Sequence, residues 1–208
     1  MKYHIICLLY YLGGAIIMSM GIEMSLLTNL GSGAYDAMNY HISQLLDISL
    51  GTAMFLSVCL LFVLTMILKP RWQSFIGFGL SFVLSFMVDF FEILLPKTDN
   101  FFYRCGYFAL GITAIAFGVA LIIRSTYSPT PIDNLMVIVS EKTKLSVKWA
   151  KTLLEVIYAV IALALGFAAG IGTGAISIGT LIMTFTTGHI IGLFLKIIKP
   201  LKLPTKQK

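Results

Sequence analysis

Six apolar runs divide this 208-residue chain, and each is long enough to cross a lipid bilayer as a helix. A hydrocarbon core of ~30 Å requires about 20 apolar residues in a helix, and unpaired backbone groups in lipid are costly. The chain is 58% hydrophobic and 12% charged, whereas soluble domains carry about 25% charged residues. The predicted fold is therefore an all-α polytopic membrane protein with six transmembrane helices. The runs are Ile5–Ile22, Ile48–Leu68, Trp72–Val88 (helical to about Leu95), Cys105–Ile123, Thr152–Ala169 and Ala175–Leu195.

The chain also resembles itself when it is shifted by 97 residues. The shift pairs Gly14 with Gly111, Gly21 with Gly118, Asp36 with Asp133, Ser43 with Ser140, Ser49 with Ser146 and Ala53 with Ala150. Beyond Leu165 the shift becomes 100 residues, which pairs Gly79 with Gly179 and Asp89 with His189. Because each copy contains three crossings, the second copy is expected to insert upside down, as in many secondary transporters. We therefore divide the chain into repeat one, residues 1–98, and repeat two, residues 99–208.

Each repeat contains a break that is followed by a short polar-faced helix. In repeat two, Pro131 suits the first helical position, and Thr130 suits the N-cap with Asp133 at the capping-box position. Gly33 and Asp36 occupy the equivalent positions in repeat one. We predict short helices near residues 34–46 and 131–143, which either dip into the protein as re-entrant elements or lie along the interface.

The turns before these helices are candidate hinges, and the two aspartates are candidate substrate or ion ligands. The hinge or turn candidates are Gly31, Gly33, Pro129 and Pro131. A carboxylate in the first turn of a helix satisfies free N–H groups, so Asp36 and Asp133 are also explained as caps alone. Both interpretations stay open, because a duplicated cap recurs as readily as a duplicated ligand.

Three further polar residues lie within apolar runs and are candidates for a substrate or ion pathway. Asp89 either contributes to the pathway or reaches the outer interface. Glu155 either faces the interior as a titrating group or pairs with Lys151 one helical turn away. His189 either relays protons or is a hydrogen-bonded structural histidine.

The distribution of lysine and arginine predicts the orientation in the membrane. With the N-terminus in the cytoplasm and six crossings, 13 basic residues lie inside and only Lys97 and Arg104 lie outside. Both termini are therefore expected in the cytoplasm. The net charge of +6 is explained by this topology and by attraction to anionic lipid, so we expect no nucleic-acid partner.

The residues around both breaks resemble those of the YczE/YyaS/YitT-type bacterial membrane proteins, most closely the YczE-like branch. That family usually carries a Gly-x-Gly-Pro-x-Asp turn in each half. In this sequence Ala34 replaces the first proline, Ser128 and Thr130 replace the second pair of glycines, and Lys151 replaces a usual arginine. The resemblance implies a multi-pass protein of the bacterial plasma membrane. The matching stretches are Leu30–Asn39, Pro131–Met136, Ser140–Thr143, Ser146–Val147, Lys151–Val156 and Ile178–Leu181.

The sequence contains no motif of a known enzyme class. It lacks a Walker loop, the Gly-x-Ser-x-Gly of serine hydrolases, the His-Glu-x-x-His of zinc proteases and a cysteine metal box. We therefore predict no enzymatic activity, no metal site and no cofactor. The predicted function is secondary transport of a small solute, proton- or cation-coupled, at a site between the two repeats. The alternative is a non-transporting accessory or regulatory protein that acts through a membrane protein partner, and a homo-oligomer is compatible with either.

Overall fold

The structure, a computed structural model, describes residues 2–125, 127–128, 130–199 and 201, with only the backbone described for residues 2, 3, 147 and 148. This part of the chain forms eight α-helices and contains no β-strand. Six of the helices are long and apolar enough to cross a membrane, which confirms the predicted all-α polytopic fold. The helices are α1 (Lys2–Leu27), α2 (Ala34–Leu46), α3 (Leu50–Leu68), α4 (Ser74–Leu94), α5 (Phe101–Arg124), α6 (Pro131–Thr143), α7 (Val147–Ala168) and α8 (Ile178–Ile197).

The starts of several helices are fixed by polar side chains that cap free backbone N–H groups. The Ser49 side chain accepts from the Thr52 N–H at the start of α3, and Asn100 accepts from Phe102 at the start of α5. A reciprocal capping box between Ser177 and Thr180 begins α8. These local signals place the helix boundaries within a chain that is otherwise almost uniformly apolar.

The centre of the fold is the crossing of α1 and α5, which pack together more extensively than any other pair of helices. Glycines allow this close approach. A Cβ atom on Gly21 would lie 2.7 Å from the carbonyl oxygen of Gly111, and one on Gly14 would lie 2.7 Å from that of Gly118. Small residues permit such backbone contact between membrane helices. Helix α1 also packs on α4, and α5 packs on α8.

Each short helix packs on a spanning helix that belongs to the other half of the sequence. Helix α2 lies along α7, and α6 lies against α3. The first turn of α2 is beside Glu155, and His41, two turns later, contacts Ala162. Helix α2 therefore runs alongside the middle of a spanning helix and dips into the protein. The bounds of α2 and α6 coincide with the short helices predicted from the sequence.

The packing of the last two helices differs from that of α3 and α4. Helices α3 and α4 pack along their length, whereas α7 and α8 make little contact with each other in the described part of the chain. Within its apolar window only 17% of α8 is buried, compared with 39–44% for the first four spans. The separation of α7 from α8 leaves space for an internal cavity.

Contacts of basic residues show which connections share one end of the bundle. Lys69, after α3, pairs with Glu141 near the end of α6, and Arg71 lies 3.9 Å from the same carboxylate. The Arg124 guanidinium donates to the carbonyl of Leu195 near the end of α8. The Tyr11 hydroxyl lies 3.4 Å from the Ile76 carbonyl oxygen near the start of α4 and 2.7 Å from the Ser128 carbonyl oxygen after α5. These connections therefore share one end of the bundle, which we call the basic end. At the opposite end Arg104 donates to the Thr28 carbonyl after α1.

Candidate functional site

A cavity of about 450 Å³ lies between α5, α6, α7 and α8, and the starts of α2 and α6 both open into it. We call it the central cavity. Its lining includes Asp36, Asp133 and Glu155, together with Lys151. Three of the five candidate acidic or histidine residues of the sequence analysis are therefore brought to one site.

The turn that leads into α2 is held by backbone hydrogen bonds to the start of α8 and to the connection before it. The Leu30 carbonyl accepts from the N–H of Gly179 at 2.8 Å, and the Ser32 N–H donates to the Ala175 carbonyl at 3.1 Å. Gly31 has φ = +120°, and a Cβ atom there would lie 2.6 Å from the backbone nitrogen of Thr180. The conformation and the space both require glycine at this turn.

The Asp36 carboxylate folds back over the first turn of α2. Gly33 is the N-cap and offers no side-chain hydrogen bond, and Asp36 Oδ2 lies only 2.8 Å from where a Cβ of Gly33 would be. The positive end of the helix dipole favours a negative charge at this place. Burial nevertheless raises the pKa of Asp36 above its usual range, and the neighbouring Glu155 carboxylate raises it further. Asp36 is therefore protonated more readily than an exposed aspartate.

Glu155 comes from α7 and reaches the same helix start. Its carboxylate faces the backbone N–H of Ala34, the first residue of α2. Two carboxylates, those of Asp36 and Glu155, therefore share one helix N-terminus. The N-terminus of a helix is equivalent to about half a unit of positive charge. Two ionised carboxylates carry two units of negative charge, which exceeds what this helix end balances.

The start of α6 holds Asp133 by a different arrangement. Pro131 is the first helical residue and Thr130 is the N-cap, as the sequence predicted. The Thr130 hydroxyl donates to Asp133 Oδ2 at 2.8 Å. Burial raises the pKa of Asp133, while the Thr130 hydrogen bond and the Lys151 charge act in the opposite direction. Pro129, the other predicted turn residue, lies outside the described residues.

Lys151 is the one basic side chain that lines the central cavity among the described residues. It acts electrostatically on both Asp133 and Glu155. Within the described ranges, nitrogen–oxygen ion pairs closer than 4.0 Å involve only Glu141, with Lys69 and Arg71. Lys151 is therefore not in a tight pair with Glu155, and three carboxylates face a single ammonium. With all three carboxylates ionised, the site would carry an excess of negative charge that a cation or protons would neutralise.

The remaining walls of the central cavity are largely apolar. Aliphatic and methionine side chains of α1, α5 and α8 face the acidic groups, with Thr184 and Thr187 as further polar groups. A pocket that combines an apolar lining with a few converging polar groups is typical of small-molecule sites. The apolar residues include Met18, Ile115, Val119, Ile122, Met183 and Ile191.

Asp89 and His189 lie apart from the central cavity. Asp89 accepts from the N–H of Gly51 at 2.6 Å and from the Ser49 hydroxyl at 2.7 Å. It thereby caps the start of α3 from the neighbouring helix α4. His189 is exposed on α8, and its Nδ1 lies 2.8 Å from the carbonyl oxygen of Phe185 within the same helix.

The sequence analysis did not single out His41, although this residue ties α2 to α7. His41 is fully buried; its Nδ1 lies 2.5 Å from the Ala162 carbonyl oxygen, and its Nε2 accepts from the Ala175 N–H at 3.1 Å. With Nε2 as the acceptor, the contact between Nδ1 and the Ala162 carbonyl is that of the tautomer that carries its proton on Nδ1. The His41 ring occupies the space that a Cβ atom on Gly166 or Gly174 would need. The glycines within and after α7 are the available sequence signal, because small residues permit close packing, but they do not identify the partner.

Tyr11 is a second residue that the sequence analysis missed. Its hydroxyl donates to the Ser128 carbonyl at 2.7 Å, and its ring lies 5.1 Å from that of Tyr127. Helix α1 thus anchors the connection that leads into α6.

Comparison with known proteins identifies the family of this chain. A family model described as "Family of unknown function (DUF6198)" matches residues 5–196. The chain belongs to the DUF6198 family. The match spans all residues of the central cavity and both short helices. No solved structure matches this member of the family.

Named relatives of this DUF6198 chain confirm the resemblance predicted from its motifs. It is 25% identical over 194 residues to "Uncharacterized protein YyaS" of Bacillus subtilis (strain 168), covering 92% of this chain and 93% of the relative. It is 29% identical over 185 residues to "Uncharacterized membrane protein YczE" of the same organism, covering 88% and 82%. An "Uncharacterized protein" of Haemophilus influenzae is 26% identical over 88% of this chain and 80% of its own length. The chain is accordingly a multi-pass membrane protein.

Proposed function

We propose that this protein is a secondary transporter that exchanges protons for a small cationic solute with an apolar portion. The observation that carries the proposal is the convergence of Asp36, Asp133 and Glu155 in one cavity whose other walls are largely aliphatic. The carboxylates provide charge for a cation, and the aliphatic walls accommodate its apolar part. The volume of about 450 Å³ is within the range of small-molecule sites.

Proton coupling follows from the chemistry of a buried carboxylate. The cation and the proton compete for the same oxygens, so binding of one displaces the other. The raised pKa of Asp36 increases its proton occupancy near neutral pH. Asp133 is held by Thr130, and Glu155 faces the α2 N-terminus. In this proposal Asp36 exchanges protons, while Asp133 and Glu155 position the solute.

The two halves are proposed to be inverted repeats that rock about the α1–α5 crossing. Gly14 and Gly21 of α1 correspond in the repeat to Gly111 and Gly118 of α5. Across the crossing Gly14 faces Gly118 and Gly21 faces Gly111, the exchanged pairing that a two-fold axis would produce. The packed α3–α4 pair and the separated α7–α8 pair would then represent a closed and an open side. We place the protein in the bacterial plasma membrane with both termini in the cytoplasm, and assign it no enzymatic activity or cofactor.

Proton flux in vesicles tests this function. Purified protein would be reconstituted into liposomes that contain a pH-sensitive dye and an acidic lumen. Methylammonium, choline, tetraethylammonium or tetraphenylphosphonium would then be added outside, with protein-free liposomes as the control for passive entry. We expect at least one of these cations to accelerate alkalinisation of the lumen in a saturable manner.

Variants connect that flux to the central cavity. The Asp36→Asn and Asp133→Asn variants should lose at least 90% of the cation-dependent flux while eluting as folded protein. Glu141→Gln is the matched control, because Glu141 is an exposed acid near the end of α6, outside the cavity. Full flux in both aspartate variants would refute the assigned site. Absence of flux with every probe would refute the proposed substrate class.

The exposure of α8 favours the accessory protein as a second candidate. Only 17% of its apolar window is buried, which leaves a spanning helix available to a membrane partner. Stable co-purification of one membrane protein, disrupted by substitutions on the exposed face such as Phe185→Ala, would favour this function if no flux is found.

A further inference from the structure

A second cavity, of about 340 Å³, lies at the end of the bundle where α1 ends and α3 begins. This is the end opposite the basic end, and the predicted topology places it outside the cell. We call it the outer cavity. Its lining is mainly polar, in contrast to the central cavity, and it includes Glu23, Tyr40, Gln44, Glu92, Lys97 and Asp99.

Glu23 is the unusual member of this lining. It lies on the spanning helix α1 and is only 3% exposed, yet its Oε2 has no hydrogen-bond partner among the described residues. A buried carboxylate oxygen without a hydrogen-bond partner is energetically unfavourable. Because Glu23 borders the outer cavity, a ligand within that cavity can provide the missing partner.

The charges around Glu23 make a positive ligand the complementary one. Glu92 and Asp99 add two acidic groups to the lining, whereas Lys97 adds one basic group. Lys97 is exposed and forms no ion pair closer than 4.0 Å in the described part of the chain. Glu92, Lys97 and Asp89, which caps α3, all act electrostatically on Glu23, and Lys97 acts in the sense opposite to the two acids. The formal charge of the three lining acids and Lys97 is −2.

The shape of the site favours an organic cation over a directly coordinated metal ion. Among the described residues, no group of three His, Cys, Asp or Glu side chains is placed to hold a metal ion. The cavity has a volume of about 340 Å³. A single water molecule occupies about 30 Å³, so the cavity is several times larger than a bare metal ion requires. The aromatic ring of Tyr40 also borders the space, and aromatic faces attract ammonium groups.

We propose that the outer cavity binds a small organic ammonium ion through Glu23, with Glu92, Asp99 and Tyr40 completing the site. The proposal concerns binding at this site alone. It holds or fails independently of whether the central cavity transports the same class of cation.

Thermal unfolding of the purified protein in detergent tests the binding. Choline or tetramethylammonium chloride would be titrated against sodium chloride of equal ionic strength. A ligand that binds only the native state stabilises it by RT ln(1 + [L]/Kd), so we expect a saturable rise in Tm with the ammonium salts. A larger saturable rise with sodium or calcium would assign the site to inorganic cations and overturn the proposal.

Variants locate the binding site. The titration would be made in the Asp133→Asn background, which removes a solute-positioning carboxylate of the central cavity. In that background Glu23→Gln should abolish the saturable rise, whereas Glu141→Gln at the basic end should retain it. Equilibrium dialysis with radiolabelled choline provides a direct measurement. We expect at least tenfold weaker binding for Glu92→Gln. This variant tests the outer cavity even if Glu23→Gln does not fold. Unchanged binding in both outer-cavity variants, or loss of all binding in the Asp133→Asn background, would overturn the assignment.

Discussion

The Thr130 hydroxyl donates a hydrogen bond to Asp133 Oδ2 at 2.8 Å, and its oxygen accepts from the Asp133 N–H at 3.4 Å. The equivalent position in the first half is Gly33, which offers Asp36 no hydroxyl. The two aspartates thus occupy corresponding places at two helix starts but differ in what holds them. Asp133 is fixed by its cap, whereas Asp36 is available to a proton or a ligand.

The Thr130 cap should contribute measurably to stability. Thr130→Val keeps the shape of the side chain but removes the hydroxyl, and we expect a loss of about 1 kcal/mol. Thr130→Ser should restore most of it. Ser146→Ala is the matched control, because Ser146 is the N-cap of α7 but makes no side-chain cap hydrogen bond. Thermal unfolding in detergent measures all three, and equal losses for Thr130→Val and Ser146→Ala would contradict the assigned role.

The Asp36→Asn variant should change how stability depends on pH. Burial raises the pKa of Asp36 in the folded state, so the native protein binds this proton more tightly than the unfolded chain does. Wild-type stability should therefore fall as pH rises from the ordinary aspartate pKa, about 4, through the raised value. Asparagine cannot ionise, so the Tm of the variant should exceed that of the wild type increasingly at higher pH.

The control for the pH experiment is Glu141→Gln. Glu141 is exposed, and its pKa is lowered chiefly by its hydrogen bond with Lys69. This variant should not gain stability relative to the wild type as pH rises. A difference between wild type and Asp36→Asn that stays constant from pH 4 to pH 9 would show that Asp36 does not titrate in this range.

His41 should be needed for the attachment of α2 to α7. His41→Ala removes a buried ring and leaves the Ala175 N–H without its acceptor, so we expect a loss of about 3 kcal/mol. His189→Ala is the control, because His189 is exposed and bonds only within its own helix. Its effect should be below about 0.5 kcal/mol. Similar Tm losses in the two variants would contradict the proposed attachment.

The features predictable from the sequence were those that depend on neighbouring residues. Apolar length predicted the six spans, and the spacing of Thr130, Pro131 and Asp133 predicted the start of α6. Capping and helix initiation act within one turn, so a single sequence displays them. The placement of Asp36 and Asp133 at one cavity was expected only because the two residues are equivalent in the repeat and the site was predicted between the two copies.

Features that depend on packing between distant helices were not predictable. His41 contacts Ala162, which is 121 residues away, and a lone histidine on a short helix does not indicate such a partner. Asp89 appeared to be a pathway candidate, but its partners Ser49 and Gly51 lie on another helix. The acidic surroundings of Glu23 likewise arise from α4 and the connection after it, which approach α1 only in the folded protein.

The orientation in the membrane can be tested with single cysteines. Cys7, Cys59 and Cys105 form no disulfide bond within the described part of the chain and would first be replaced by alanine. The Lys97→Cys variant should then react with a membrane-impermeant maleimide in intact cells. The Lys142→Cys variant should react only after the cells are permeabilised. Labelling of both positions from the same side would contradict the predicted topology. Labelling of position 142 in intact cells, with position 97 labelled only after permeabilisation, would show the inverted orientation.

The glycine contacts between α1 and α5 lead to a paired prediction about neighbouring residues. A Cβ atom on Gly21 would lie 2.7 Å from the Gly111 oxygen and 2.8 Å from the Ile115 nitrogen. Because both are backbone atoms that cannot rotate away, Gly21→Ala should destabilise the protein by about 1–3 kcal/mol. A Cβ on Gly13 would meet nothing within 4 Å. Gly13→Ala should therefore be neutral or stabilise by up to about 1 kcal/mol through helix propensity. Thermal unfolding of both variants tests this contact directly. A loss of stability in Gly13→Ala as large as that in Gly21→Ala would contradict a close backbone contact between α1 and α5 at Gly21.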